Sequence, residues 1–145
     1  MNTWLLLIYK VPNEPSARRV YVWRKLKGMG AILLQDSAWV LPANPRTRER
    51  LQWLATEIRD MEGGVATLWE AQEVFTGQST YLTQQFTAQV ENTYKDILSQ
   101  LEQADADLAV LSKQYQQISA QDYFQSTLGQ QVREALLKRR GAGDL

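Results

Sequence analysis

An unbroken apolar run, Trp4-Leu5-Leu6-Leu7-Ile8-Tyr9, opens the chain and stops at Pro12. A run with no polar alternation predicts a central strand buried on both faces. Proline then ends the ladder, because it has no amide proton to donate. Asn13 is the expected N-cap of the next element, with Pro15 in its first turn. From Ser16 to Met29 the apolar positions Val22, Leu26 and Met29 fall at i, i+4 and i+7, flanked by Val20 and Trp23. That spacing predicts an amphipathic helix with one core-facing stripe. Gly28 and Gly30 bracket its end, one of them as C-cap.

Two short strands are expected next, over residues 31–35 and 37–41, with Asp36-Ser37 at the turn and Pro42 closing the second. Asn44-Pro45 has the N-cap and first-position signature of a second helix. Leu51, Leu54, Ile58 and Met61 repeat at i, i+3, i+7 and i+10, and Gly63-Gly64 stops the helix. Residues 65–69, Val-Ala-Thr-Leu-Trp, form a fourth strand. The order β-α-β-β-α-β predicts an α+β fold of ferredoxin-like type, with two helices on one face of a four-stranded antiparallel sheet.

Past Gly77 the pattern changes. Glutamine becomes frequent, and Phe86, Val90, Tyr94, Ile97 and Leu101 mark one long helix. Residues 104–107, Ala-Asp-Ala-Asp, interrupt it and supply the next N-cap. Leu108, Leu111, Tyr115 and Ile118 are spaced like a short coiled-coil segment. Asp122 is expected to cap a last helix carrying Phe124, Leu128, Val132 and Leu136. Lys138-Arg139-Arg140 suits that helix's C-terminus, and residues 141–145 are expected to fray. The domain expectation is therefore a ferredoxin-like domain over 1–77. A helical hairpin or small bundle over 78–145 packs on it or on a partner subunit.

Composition narrows the chemistry. The chain of 145 residues contains no cysteine and no histidine. This excludes disulfides, thiol nucleophiles, serine–histidine triads and His/Cys metal sites. The apolar run at the start is too short for a signal peptide core, and nothing reaches the roughly 18 apolar residues of a membrane helix. The expectation is a cytoplasmic chain with no membrane role.

Charge sharpens the picture. The net charge is zero, yet residues 1–60 carry a surplus of positive charge and residues 61–145 a matching surplus of negative charge. Arg18, Arg19, Arg24, Lys25 and Lys27 lie on the first helix, and Arg46, Arg48 and Arg50 start the second. Cations in a first helical turn oppose the helix dipole by about 0.3–1 kcal/mol each. Either these eight are a solvated helix face, or they form a surface for phosphates and DNA. The carboxylates Asp105 with Asp107, and Asp96 with Glu102, read as solvated and capping groups, and Asp36 as a turn residue bonding its own backbone. The five tryptophans read as core and inter-element packing. No catalytic residue, metal site or cofactor is expected.

The first half also carries a resemblance. Residues 4–12, Trp-Leu-Leu-Leu-Ile-Tyr-Lys-Val-Pro, with Glu14-Pro15-Ser16, resemble the N-terminal domain of the chromate-resistance regulator ChrB. So do residues 19–27, Leu34-Gln35-Asp36, residues 39–42, Thr47-Arg48-Glu49, Trp53-Leu54-Ala55 and Glu57-Ile58-Arg59. In the tail, Ile118 and Asp122-Tyr123-Phe124 resemble the same family. The resemblance implies a ferredoxin-like domain related to the middle domain of PaaX-type repressors and to small CRISPR-associated endonucleases, followed by helices. It implies a part in regulating chromate-resistance operons.

Two departures qualify what the resemblance implies. The endonucleases carry a metal-binding aspartate directly after the tyrosine of the first strand, and this chain has Lys10 there. A cation at that point repels magnesium. Regulators of this family continue into a chromate-sensing domain, which lies outside these residues. Three readings follow. The first is a non-enzymatic regulator that binds DNA through the eight basic residues as a homodimer. The second is a dimerisation and protein-interaction module without DNA, whose partner is a separate chromate-sensing domain. The third, and most remote, is a metal-dependent nuclease.

Overall fold

A computed structural model of the chain describes residues 2–143. Its elements are β1 (Trp4–Lys10), α1 (Ser16–Gly28), β2 (Ile32–Gln35), β3 (Ala38–Pro42), α2 (Pro45–Asp60) and β4 (Val65–Ala71). Three helices follow: α3 (Gln78–Leu101), α4 (Leu108–Ser119) and α5 (Thr127–Gly143). The sheet order is β2-β3-β1-β4 and every pairing is antiparallel. This is the ferredoxin-like arrangement that the alternation predicts. The chain forms two compact units, Met1–Ser79 and Thr80–Leu145.

The centre of the first unit follows from β1. Leu5 and Leu7 are almost fully buried, because β3 and β4 flank the strand and helices cover that face. Against them α1 sets Val22 and Leu26, and α2 sets Leu51, Leu54, Ala55 and Ile58. Burying each of the valine, leucine and isoleucine side chains stabilises the fold by about 1.5–3 kcal/mol. Trp4, on the other sheet face, is also buried, and its indole N–H donates to Ser79 Oγ at 3.1 Å.

Local signals decide the helix ends, with two differences from expectation. The N-cap of α1 is Pro15 rather than Asn13, and no side chain caps it. Its C-terminus closes on Met29, with Gly30 next in the left-handed region at φ 78°. The Gly30 amide donates to Lys27 O at 3.0 Å and the Ala31 amide to Leu26 O at 3.0 Å, a complete Schellman motif. At α2, the Asn44 side chain accepts from the Thr47 amide at 2.8 Å. Thr47 Oγ1 accepts in return from the Asn44 amide at 3.0 Å. Thr47 is buried, and its hydroxyl also donates to Pro42 O. Gly64 is required after α2, since a Cβ there would lie 2.0 Å from Ile58 O.

The helical unit has its own core. Val90, Tyr94, Ile97 and Leu101 of α3 pack with Leu111 of α4 and with Val132 and Leu136 of α5. Asp107 caps α4, accepting from the Val110 amide. Asp122 does not cap α5 as the sequence pattern predicts. Gln125 is left-handed at φ 52°, so the chain turns once more before α5 begins, and Phe124 precedes the helix. Asp122 instead accepts from the Ser126 amide and from the Tyr94 hydroxyl at 2.9 Å. Burial, then the bond to Asp122, raise the Tyr94 phenol well above its ordinary value. Gly129 makes room for that ring, because a Cβ there would stand 2.9 Å from it. Arg139 points its guanidinium at the end of α3, donating to Leu101 O at 2.6 Å, Gln103 O at 3.1 Å and Ala104 O at 3.2 Å. A cation there satisfies carbonyls that the helix leaves unpaired. The helix runs through residues 141–143, which were expected to fray, while residues 144 and 145 lie outside the described residues.

Candidate nucleic-acid interface

On α1 the buried stripe of Val22, Leu26 and Met29 decides what faces outward. Residues four apart share a helix face. Arg19, Trp23 and Lys27 therefore form one exposed row, with Val20 and Arg24 beside it. Two cations of α1 stack on rings of the same helix. Lys25 Nζ lies 5.5 Å from the centre of the Tyr21 ring, and Lys27 Nζ lies 6.0 Å from that of Trp23. At exposed sites each contact contributes about 0.5–1 kcal/mol.

Contacts to α2 fix how the two helices lie. The Tyr21 hydroxyl donates to the Glu57 carboxylate, and that bond raises the Tyr21 phenol above its ordinary value. The Arg18 guanidinium donates to Glu62 O at 3.1 Å. The start of α1 thus meets the end of α2, so the helices run antiparallel. On α2, Arg46, Arg50, Trp53 and Glu57 fall at i, i+4, i+7 and i+11, which is one flank. Glu57 meets Tyr21, so this flank faces α1 and brings Arg46 and Arg50 toward its C-terminal half.

The eight basic residues therefore separate into groups. Arg24, Lys25 and Lys27, with Arg46 and Arg50, share the outer surface of the helix layer. Arg19 lies at the edge of that surface. Arg18 is half-buried and turned to Glu62 O. Arg48 lies on the far flank of α2, ion-paired with Glu70 of β4. Neither partner was legible from spacing along one helix.

The sequence expectation for the tryptophans is corrected for three of the five. Trp4 and Trp39 are core residues, but Trp23, Trp53 and Trp69 are 51%, 65% and 55% exposed. The signal was present for Trp23, which lies off the buried stripe of its helix. Trp53 likewise falls off the row Leu51, Leu54, Ile58.

Beside the α1 row, Tyr9, Lys10 and Val11 at the end of β1, Ser16, Arg19, Val20 and Trp23 of α1, and the turn residues Asp36 and Ser37 enclose a groove of about 500 Å³. Asp36 adopts φ 49°, a left-handed conformation that aspartate tolerates better than most residues. Tyr9 is half-buried; burial raises its phenol, opposed by the Trp39 indole and the Arg19 cation. The groove holds two cations, one carboxylate and one open indole face. Lys10 ends β1, directly after Tyr9. Among the described residues no cluster of three or more carboxylates stands where it could hold a metal ion. No helix among them is long and apolar enough to cross a membrane.

Known proteins bear on this surface. The family model for the N-terminal region of protein ChrB matches residues 19–110, which include most of α1, all of α2 and the whole of α3. Protein ChrB of Cupriavidus metallidurans is 42% identical over 64 residues, covering 44% of this chain and 20% of that protein. The aligned part thus spans a fifth of the relative's length. An uncharacterized protein from Mycobacterium tuberculosis superposes on the whole chain with a TM-score of 0.54 at 14% identity, over 64% of its own length. At that identity the likeness concerns the fold alone.

Proposed function

From membership in the ChrB N-terminal family, to which this chain belongs, we propose a non-enzymatic regulatory domain of the chromate-resistance type that binds DNA. The observation that carries this reading is the gathering of Arg24, Lys25, Lys27, Arg46 and Arg50 on one outer surface, with Arg19 at its edge. None of these six forms an ion pair among the described residues. Cations without an ion pair are available to displace the counterions of a phosphate backbone. Arg18 and Arg48 complete the set, each sharing its donors with an internal contact. Two copies acting as a homodimer would present two such surfaces to one duplex, in the cytoplasm.

Binding to the protein's own promoter region, read by fluorescence anisotropy, tests the proposal. With about six phosphate contacts, affinity falls by about a thousandfold or more between 50 and 200 mM salt. Reversing Arg24, Lys27 and Arg46 to Glu abolishes it. Absence of binding at low salt sinks the reading.

A second reading has its own support. Val65 and Trp69 are exposed on β4, an edge strand of the sheet, and Val74 and Phe75 are exposed just beyond it. An edge with open apolar side chains suits self-pairing or a protein partner, such as a separate chromate-sensing domain. A Trp69→Lys variant that turns from dimer to monomer supports that use of the edge. Unchanged mass at all concentrations opposes it.

A further inference from the structure

We propose that the groove between the end of β1, the start of α1 and the β2–β3 turn is a binding site for a single nucleotide unit with a guanine base. The groove lies beside the basic surface but is distinct from it in chemistry. A phosphate-backbone surface needs cations only. This groove adds an open indole face and an acceptor-only carboxylate.

Each part of such a ligand meets a suitable group. Arg19 and Lys10 line the groove, and neither side chain makes a hydrogen bond or an ion pair among the described residues. The first turn of α1 opens onto the same space through Ser16. That turn has no capping side chain and no acidic residue; its Arg18 amide donates to Pro15 O at 3.4 Å, and the amides of Ser16 and Ala17 before it suit an anion. A phosphate is therefore held at this end by two cations and a helix N-terminus.

Trp23 stands one turn further along, about 6 Å from Arg19 at 1.5 Å per residue. Its ring is 51% exposed and lines the groove, so one face is open for a base to stack on. Stacking on an aromatic side chain contributes to binding of any base and does not discriminate between them.

Discrimination falls to Asp36. As a carboxylate it only accepts hydrogen bonds. It makes none among the described residues, and it lines the groove from the hairpin turn. The base edge facing it must therefore donate. Guanine presents two adjacent donors, N1–H and the exocyclic amino group, to one carboxylate. Adenine and cytosine each present one donating amino group, and uracil or thymine a single imide. The expected order is guanine, then adenine and cytosine, then uracil or thymine.

The nucleotide could be free or be an unpaired unit of a strand, and both share this chemistry. Titration of the full chain with guanosine 5′-monophosphate, followed by tryptophan fluorescence, tests the site. Parallel titrations use adenosine and uridine monophosphates, inorganic phosphate, and short single strands containing one guanosine or none. Saturable quenching by the guanosine nucleotide, stronger than by the uridine nucleotide, is expected. Asp36→Asn keeps a residue that tolerates φ 49°. It should weaken guanosine monophosphate by about tenfold or more, the loss of a charge-assisted bond, and leave the adenosine nucleotide nearly unchanged. Trp23→Leu should weaken all nucleotides alike.

Binding by the one-guanosine strand alone assigns the site to unpaired strand ends, and binding by the free nucleotide assigns it to a soluble ligand. Equal affinity for phosphate and guanosine monophosphate, or no saturable binding by any nucleotide or strand, overturns the inference. Neither Asp36 nor Trp23 belongs to the eight residues proposed for duplex DNA. Promoter binding that survives Asp36→Asn separates failure of this inference from failure of the regulatory reading.

Discussion

The two units use their aromatic rings differently: the sheet unit buries Trp4 and Trp39 but leaves most of its rings open, and the helical unit exposes Tyr81 but packs rings against one another. In the βαββαβ unit Tyr21, Trp23, Trp53 and Trp69 are exposed, and two of these rings carry a lysine over their face. In the helical unit Phe86 and Tyr94 are buried. Tyr123 meets the Phe86 ring edge-on at 6.1 Å, and Tyr115 lies 6.1 Å from Tyr94. The difference follows from what fills each core. The sheet unit closes with aliphatic residues from the helices and β1, so many of its rings are surplus to packing. The helical unit has fewer aliphatic positions and sets Phe86 and Tyr94 among its buried aliphatics. A buried phenol needs a partner, which Asp122 supplies, and space, which Gly129 supplies. Rings that packing does not use, set among cations without ion pairs, are what a ligand-facing surface needs.

Three measurements bear on this contrast. The largest effect is expected at the aliphatic core. Ile58 is fully buried, and Ile58→Ala should cost about 2–5 kcal/mol in chemical denaturation, by lost burial and a cavity. A loss under about 1 kcal/mol would mean that the sheet unit does not depend on this layer.

Next comes the ringed core. Tyr94→Phe should cost about 1–2 kcal/mol, since it leaves Asp122 without that donor. The native phenol is raised above its ordinary value of 10.0, so the folded state holds its proton more tightly than the unfolded state does. The associated stabilisation is complete below pH 10.0 and is lost as pH rises above that value. The unfolding midpoint of the native chain should therefore drop more steeply above this pH than that of Tyr94→Phe. Parallel curves would refute the linkage.

The smallest effect is expected at the surface. Arg48 and Glu70 are both solvent-accessible, and such pairs contribute about 0–1 kcal/mol. Arg48→Ala should shift stability by less than about 1 kcal/mol. It should also reduce promoter binding less than Arg24→Ala does. A larger loss at Arg48 would move the proposed interface onto the β4 flank.

Much of the fold was legible because its signals are local. The apolar run 4–9, the Asn44-Pro45 start and the paired glycines at 63 and 64 act within a few residues of themselves. Two local readings were displaced by neighbours. Asn13 gave way to Pro15 as the residue before α1, and Asp122 bonds a tyrosine 28 residues away instead of capping α5. The basic residues were legible as a set, but not their division into free and engaged members. The tryptophans misled in the other direction. Ring size argues for burial, but Trp23 and Trp53 fall outside the apolar rows of Leu26 and Leu54 on their helices, and both are exposed.

Element order, helix phase, most caps and the family signature were determined by the sequence alone, because each depends on residues within one or two turns of each other. Tertiary structure alone decided which groups meet across the chain. Arg18 reaches a carbonyl 44 residues away, and Arg139 reaches the end of α3 across 38 residues. Asp36, Lys10, Arg19 and Trp23 come to line one groove. Helical period fixes the direction of a side chain on its own element, whereas these meetings depend on how elements cross. That crossing is set by the packing of whole faces, which no local pattern encodes.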